Sequence, residues 1–179
     1  MNLLLTVAEA VETHARLTPH KLGAKDSRRQ LSFAQWHERA TRLANGLLGL
    51  GLAKGDRVAL LAYNRVEWLE MYVALARAGL VAVPINFRLT APEIGYIAAD
   101  AGVRAFIVQD ELAERVEPLR EGLALAAGGW VLLGDSPAGA GWTGYEALIA
   151  SASASLPDCA VRPADMSALM YTSGTTGRP

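Results

Sequence analysis

Apolar residues return along this chain at two different spacings, and the alternation of the two predicts alternating helices and strands. From Ser32 onward, Phe33, Trp36, Ala40, Leu43, Leu47 and Leu50 recur at steps of three and four, with Gln35, Glu38, Arg39 and Arg42 between them. That is one face of an amphipathic helix, ended by Gly51. The run Arg57–Ala62 is followed by a helix on which Val66, Leu69, Val73 and Ala76 form one stripe and Trp68, Tyr72 and Leu75 another. A helix apolar over so much of its circumference packs on more than one side. Val81–Ile85, Ala105–Val108 and Trp130–Leu133 read as buried strands, separated by helices near Glu93–Ala101 and Glu111–Ala124. Repeated strand–helix–strand units predict a parallel sheet with right-handed crossovers. Lys21–Asp26 and Arg29–Leu31 form a small hairpin over Ser27-Arg28, outside that series.

Polar residues mark the helix starts. Thr6 with Glu9, Ser32 with Gln35, Thr90 with Glu93 and Thr143 with Glu146 all have the capping-box spacing. Leu89 can staple onto Ile94. Glu93 is thus read as a cap, and Phe33 and Trp36 as core. His14, His20 and His37 have no partner in sequence and are expected to be solvated. Ser151–Pro157 is the best linker candidate, and Ser136–Gly141 a second flexible loop. No internal repeat or domain boundary is apparent.

Composition narrows the class. With 179 residues, 51% hydrophobic and 20% charged, the chain is expected to form one folded domain. A formal net charge of −1 gives no electrostatic footprint for nucleic acid or an anionic membrane. The single Cys159 excludes an internal disulfide and fits a reducing cytoplasm; it is read as a structural thiol. The opening Met1–Leu5 lacks a basic start and a sustained apolar core, so no secretory signal is expected. The apolar stretch Ala78–Ile85 falls far short of the ~18 residues of a membrane span. A soluble, cytoplasmic protein is the expectation.

The chemistry-bearing residues lie at the end of the chain. Ser167–Tyr171 reads as a buried strand delivering its C-terminal end to Thr172-Ser173-Gly174-Thr175-Thr176-Gly177-Arg178-Pro179. Ligands of open α/β sheets usually sit at that end of a strand. Gly174 and Gly177 permit positive φ and close approach, so successive backbone N–H groups can converge on an anion. The hydroxyls of Thr172, Ser173, Thr175 and Thr176 add further donors. A polyphosphate needs such a concave donor array, whereas an isolated Ser/Thr/Gly cluster is more often a surface turn. A Walker A loop is excluded, because only Thr175 and Thr176 separate the glycines and no lysine follows.

The run Asp165–Pro179 resembles the phosphate-binding signature of the adenylate-forming superfamily, which holds acyl- and aryl-CoA synthetases, luciferases and peptide-synthetase adenylation domains. Arg77–Leu89, with Glu93-Ile94 and Tyr96-Ile97, is similar to the acyl-CoA synthetase branch. Gly55–Val58 and Asn64 with Glu67-Trp68 fit the same branch, so the resemblance runs from about Thr6 to the end. It implies an α/β fold of parallel-sheet βαβ layers, the N-terminal portion of the large domain of such an enzyme. Residues 1–179 would form a single incomplete domain ending inside the phosphate-binding loop, 172–179.

The implied activity has two steps. A carboxylate attacks the α-phosphate of MgATP to give an acyl adenylate and pyrophosphate, and coenzyme A then displaces AMP to form a thioester. Thr172, Ser173, Gly174, Thr175, Thr176 and Gly177 would hold the departing phosphates. The Lys-Gly that continues the family signature is not present. Nor are the segments to which the resemblance assigns the acyl pocket, the adenine contact, a magnesium-binding glutamate, a ribose-binding aspartate and a catalytic lysine. The chain alone is therefore expected to be inactive and to hold neither ATP, Mg2+ nor coenzyme A tightly, with no catalytic or metal-binding residue assigned. Asn64, Asn86 and Arg88, beyond predicted strand ends, are read as turn or pairing residues, and Arg178 is assigned no catalytic role. The alternative is a non-catalytic module that associates with itself through uncovered apolar surface.

Overall fold

Strand residues alternate between two apolar environments, and this alternation organises the whole chain. In the computed structural model, which describes residues 5–172, β3 (Arg57–Leu61) turns Val58 and Leu60 to one face of the sheet and Ala59 and Leu61 to the other. Both faces are covered, so the strand is a continuous apolar run. With β4 (Val81–Pro84), β5 (Val103–Gln109), β6 (Trp130–Leu133) and β7 (Thr143–Gly144) it forms a five-stranded sheet in the order β4-β3-β5-β6-β7, parallel throughout.

One face carries α1 (Val7–Leu17), α2 (Phe33–Gly49), α3 (Glu67–Ala78) and α5 (Tyr145–Ser151). The other carries α4 (Ala91–Asp100) and two short 3-10 turns, Asp110–Arg115 and Glu117–Leu119. The β3-to-β4 and β4-to-β5 crossovers run in opposite directions and place α3 and α4 on opposite faces, as a common handedness requires. A separate antiparallel hairpin, β1 (Leu22–Lys25) with β2 (Gln30–Ser32), turns through Asp26, whose carboxylate accepts from the N–H groups of Arg28 and Arg29. No helix among the described residues is long and apolar enough to cross a membrane.

The capping boxes of α1 and α2 form as their spacing predicts, and Glu93 accepts from both the N–H and the hydroxyl of Thr90. Three expectations need correction. The helix expected over Glu111–Ala124 is replaced by the two 3-10 turns, because Pro118 has no N–H to continue an α-helical ladder and sits instead in the first turn of the second one. Thr143 is not a cap: it lies in β7, its hydroxyl donates to Gly128 O, and Glu146 binds Arg39 instead. The Ser151–Pro157 connection is pinned, since Arg42 donates to Ala152 O and Asn45 Nδ2 to the carbonyls of Ser153 and Ser155.

Candidate functional site

The chain reaches the candidate loop by a route with successive anchors. After α5 it passes the ends of the helices and loops that precede β3 and β4. Cys159 Sγ donates to Ala78 O at 3.2 Å. Lys54 Nζ donates to Ala160 O at 2.7 Å and pairs with Asp165 at 2.6 Å. The stem of Lys54 crosses directly over Gly79, where a Cβ would lie 2.9 Å from Lys54 Cγ. Gly79 is the left-handed C-cap of α3 (φ 65°), so glycine serves both the cap and the passage of the lysine. Asp165 in turn accepts from the Arg162 N–H, closing the turn into the final segment, and Lys54 holds its carboxyl below the ordinary range.

That segment joins the free edge of β4. Ala82 donates its N–H to Ser167 O and accepts from Leu169 N, in a parallel bridge centred on Ala168. The buried strand expected at Ser167–Tyr171 is thus a single bridge with Met170 66% exposed. Its brevity has a direct cause. Odd-numbered β4 residues bond towards β3, as Val81 and Ile85 show, so outward-facing donors fall on even positions. The next one is Pro84, which has no N–H, and the ladder stops there.

Leu169 and Tyr171 pack on the α4 face, and the Tyr171 hydroxyl donates to Asp100 Oδ2 at the end of α4. Burial, followed by the carboxylate of Asp100, pushes the phenol up to about 12. Thr172, the first of the expected phosphate-binding residues, follows and is exposed. Ser173, Gly174, Thr175, Thr176 and Gly177 lie outside the described residues.

A second polar region was not anticipated from sequence. It sits beyond the C-terminal ends of β3 and β6, in a cleft of about 220 Å³ lined by Asp26, Arg29, Arg65, Glu67 and Asp135, among others. Glu70, fully buried, accepts from Arg29, from Arg39 through two nitrogens, and from the Tyr145 hydroxyl at 2.9 Å. Arg39 also forms a two-pronged pair with Glu146, and Arg65 with Glu67.

Burial by itself would lower the Arg39 pKa, but its bonds to Glu146 and Glu70 raise it well above the ordinary value. Burial would likewise raise the Glu67 carboxyl, and the Arg65 guanidinium outweighs it and holds the group low. The arginines here are paired with carboxylates and Asp26 accepts from the backbone N–H groups of Arg28, Arg29 and Val66, so the cluster joins the hairpin, α2, α3 and α5. The sequence signal for it is the presence of Glu67 and Glu70 in the first turn of a largely apolar helix.

Asn86 and Arg88 make local contacts beyond β4. Asn86 Oδ1 accepts from the Arg88 N–H at 3.0 Å, a local turn bond. The Arg88 guanidinium lies 5.3 Å from the Phe87 ring centroid, and Phe87 meets Tyr63 edge-on at 4.9 Å. Asn64 is exposed beyond β3. One histidine departs from expectation: His37 is half-buried with Nδ1 3.2 Å from the Arg77 guanidinium, whereas His14 is exposed and stacks on Phe33 at 4.8 Å. Among the described residues no cluster of three or more His, Cys, Asp or Glu could hold a metal.

The sheet is parallel, wound on both faces, and extended at β4 by the segment that ends at Thr172. The family model for AMP-binding enzymes matches residues 11–179, and the chain belongs to that family. Feruloyl-CoA synthase of an Amycolatopsis species is 40% identical over 167 residues, 92% of this chain and 30% of that protein. Long-chain-fatty-acid–CoA ligase FadD13 of Mycobacterium tuberculosis is 38% identical over 154 residues, 84% of this chain and 28% of that one. The crystal structure of the anthranilate CoA ligase AuaEII in complex with anthranoyl-AMP superposes with a TM-score of 0.91 at 28% identity, covering 100% of this chain and 34% of the other. The chain therefore spans roughly a third of the length of the relatives it matches.

Proposed function

We propose that this chain provides the phosphate-binding end of the ATP site of an AMP-forming acid–thiol ligase. The overall reaction would join a carboxylic acid to coenzyme A, converting ATP to AMP and pyrophosphate. The observation that carries the reading is the Thr172–Gly177 signature placed directly after a segment anchored on β4, in a chain of the AMP-binding enzyme family. Names of the relatives support the substrate class, since ferulate, anthranilate and long-chain fatty acids are all carboxylic acids.

In this reading a carboxylate oxygen bonds to the α-phosphorus as the bridging oxygen leaves with pyrophosphate. The thiolate of coenzyme A then bonds to the acyl carbon as AMP departs. The loop contributes to the first step, where converging N–H and hydroxyl donors stabilise charge growing on the leaving group. Thr172 begins that donor array. Magnesium would accompany ATP as its counter-ion, and a cytoplasmic location without nucleic-acid partners belongs to the same proposal.

The 179 residues contain none of the segments to which the family resemblance assigns the adenine, ribose and acyl contacts, so the isolated chain would catalyse neither step. Pyrophosphate release from MgATP, coenzyme A and a panel of carboxylic acids should match the no-enzyme rate; turnover above it would overturn this part of the proposal. The phosphate site itself is tested by thermal unfolding, because a ligand bound to the native state raises the midpoint. Pyrophosphate should stabilise the wild-type chain and not Gly174→Asp, and equal behaviour of the two would contradict the reading.

A second reading, a self-associating module, draws support from an apolar groove of about 290 Å³ lined by Leu5, Val7, Leu80, Val161 and Met166. Leu5, Val7 and Met166 are 54%, 49% and 62% exposed. Concentration-dependent mass by light scattering would support it, and a monomer throughout would exclude it.

A further inference from the structure

We infer that Tyr171 and Asp100 are a positioning pair for the phosphate-binding loop, fixing the direction in which the chain leaves the sheet at Thr172; this rests on the reading of Thr172–Gly177 as that loop. The need for such a device follows from β4. The ladder that should carry the last strand to the sheet's C-terminal edge is broken by Pro84, leaving one backbone bridge, at Ala168. A segment held by one bridge can pivot about it. Upstream, Lys54 fixes Ala160 and Asp165 and so sets where the segment enters. Downstream of the bridge, the Tyr171 hydroxyl on Asp100 is the polar contact nearest Thr172 among the described residues that ties the segment to the body of the fold.

Asp100 is well suited to this role. It ends α4, which is anchored in the core through Ile94, Ile97 and Ala98, so the carboxylate stands on a rigid element. Leu169 and Tyr171, two residues apart on an extended segment, point to the same side and both pack on that α4 face. The tyrosine ring is thereby held by apolar contact while its hydroxyl is held by a carboxylate. Such a charge-assisted bond is stronger than a neutral one. It lies one residue from Thr172, the last described residue of the segment. Neither residue touches substrate in this account; both act through the placement of the loop.

The test uses the 179-residue chain, with inorganic pyrophosphate as the probe and two readouts. Phosphorus NMR titration gives the affinity, and amide hydrogen exchange of peptides covering residues 164–179 reports how firmly the segment is held. Tyr171→Phe keeps the ring and removes the hydroxyl. It should weaken pyrophosphate binding by roughly tenfold, the scale of a hydrogen bond to a charged group, and speed exchange in those peptides while leaving the thermal midpoint nearly unchanged. Asp100→Asn retains an acceptor and should lose less than Asp100→Ala, and the Tyr171→Phe/Asp100→Ala double variant should be no weaker than the worse single one.

Gly174→Asp separates the two possible failures. If the wild type binds, Gly174→Asp does not, and Tyr171→Phe binds like the wild type, the positioning pair is refuted while the phosphate loop stands. Faster exchange without weaker binding refutes it equally. If the wild type and Gly174→Asp behave alike, the phosphate-loop reading fails and the inference falls with it.

Discussion

On one face of the sheet, α1, α2, α3 and α5 bury Glu70 and Arg77 among Leu43, Leu47 and Leu75; on the other, α4 and the 3-10 turns close over Phe106, Val108, Ile94 and Leu112 with no charged side chain buried among the described residues. The helical face is joined by matched ion pairs, with Glu70 linking the hairpin, α2, α3 and α5. The α4 face relies on apolar and aromatic packing, including a Phe106–Trp130 stack at 5.5 Å and Arg120 set 4.9 and 4.3 Å from the Trp130 and Trp142 centroids. In the segment leading to Thr172, Leu169 and Tyr171 dock on this second face while Ala168 packs on the first. Buried ion pairs fix geometry at high cost if one partner is lost, whereas an apolar face tolerates local adjustment.

The sharpest way to break this contrast is Glu70→Ala. It would leave Arg39 and Arg29 without their buried acceptor, and a loss of about 3–5 kcal/mol in denaturant unfolding is expected. An unfolding free energy within experimental error of wild type would show that the network does not hold the helices together. Next comes Gly46→Leu. A Cβ at Gly46 would sit 2.7 Å from Leu148 Cγ, where α2 and α5 meet, so a larger side chain should cost about 1–3 kcal/mol by forcing them apart. On the α4 face, Arg120→Ala removes the guanidinium from between two tryptophans and should cost only about 1 kcal/mol while shifting tryptophan emission. A larger loss than that of Glu70→Ala would invert the comparison.

The smallest effect concerns pH. Burial first, and then the Arg77 charge, lower His37 from its ordinary 6.5, while Glu12 and Glu38 oppose this. Arg77 also holds Thr41, the Ala8 carbonyl and Glu12, and so ties α1 to α2. Because the unfolded chain takes up the His37 proton more readily than the folded one, stability should fall as pH drops below about 6.5 and level off below the folded-state pKa. His37→Gln should flatten the stability profile in that window. An unchanged slope would place the pH dependence elsewhere.

These regions also differ in how much of them could be read from sequence. The strands and α2 were legible because a single signal, apolar periodicity, matches burial on two covered faces. Capping pairs at Thr6, Ser32 and Thr90 were legible because both partners lie within one turn. Thr143 with Glu146 has the same spacing, yet Glu146 finds Arg39 across the fold, and a two-pronged arginine pair outcompetes a cap. The Glu70 network joins residues far apart in the chain, and no local pattern records such pairings.

The final strand misled for a similar reason. Its own residues favour a strand, but the partner edge carries Pro84, and the limit on pairing is written in β4 rather than in Ser167–Tyr171. Of the candidate loop, the motif itself was legible in full, whereas the anchors at Lys54, Asp100 and Ala82 came only from the fold.

The most direct test of the account is calorimetric titration of the 179-residue chain with pyrophosphate and with MgATP, wild type against Gly174→Asp. The account predicts measurable heat for the wild type and none for the variant, since an aspartate at position 174 would set a negative charge against the phosphates. Identical titrations for the two proteins would contradict it.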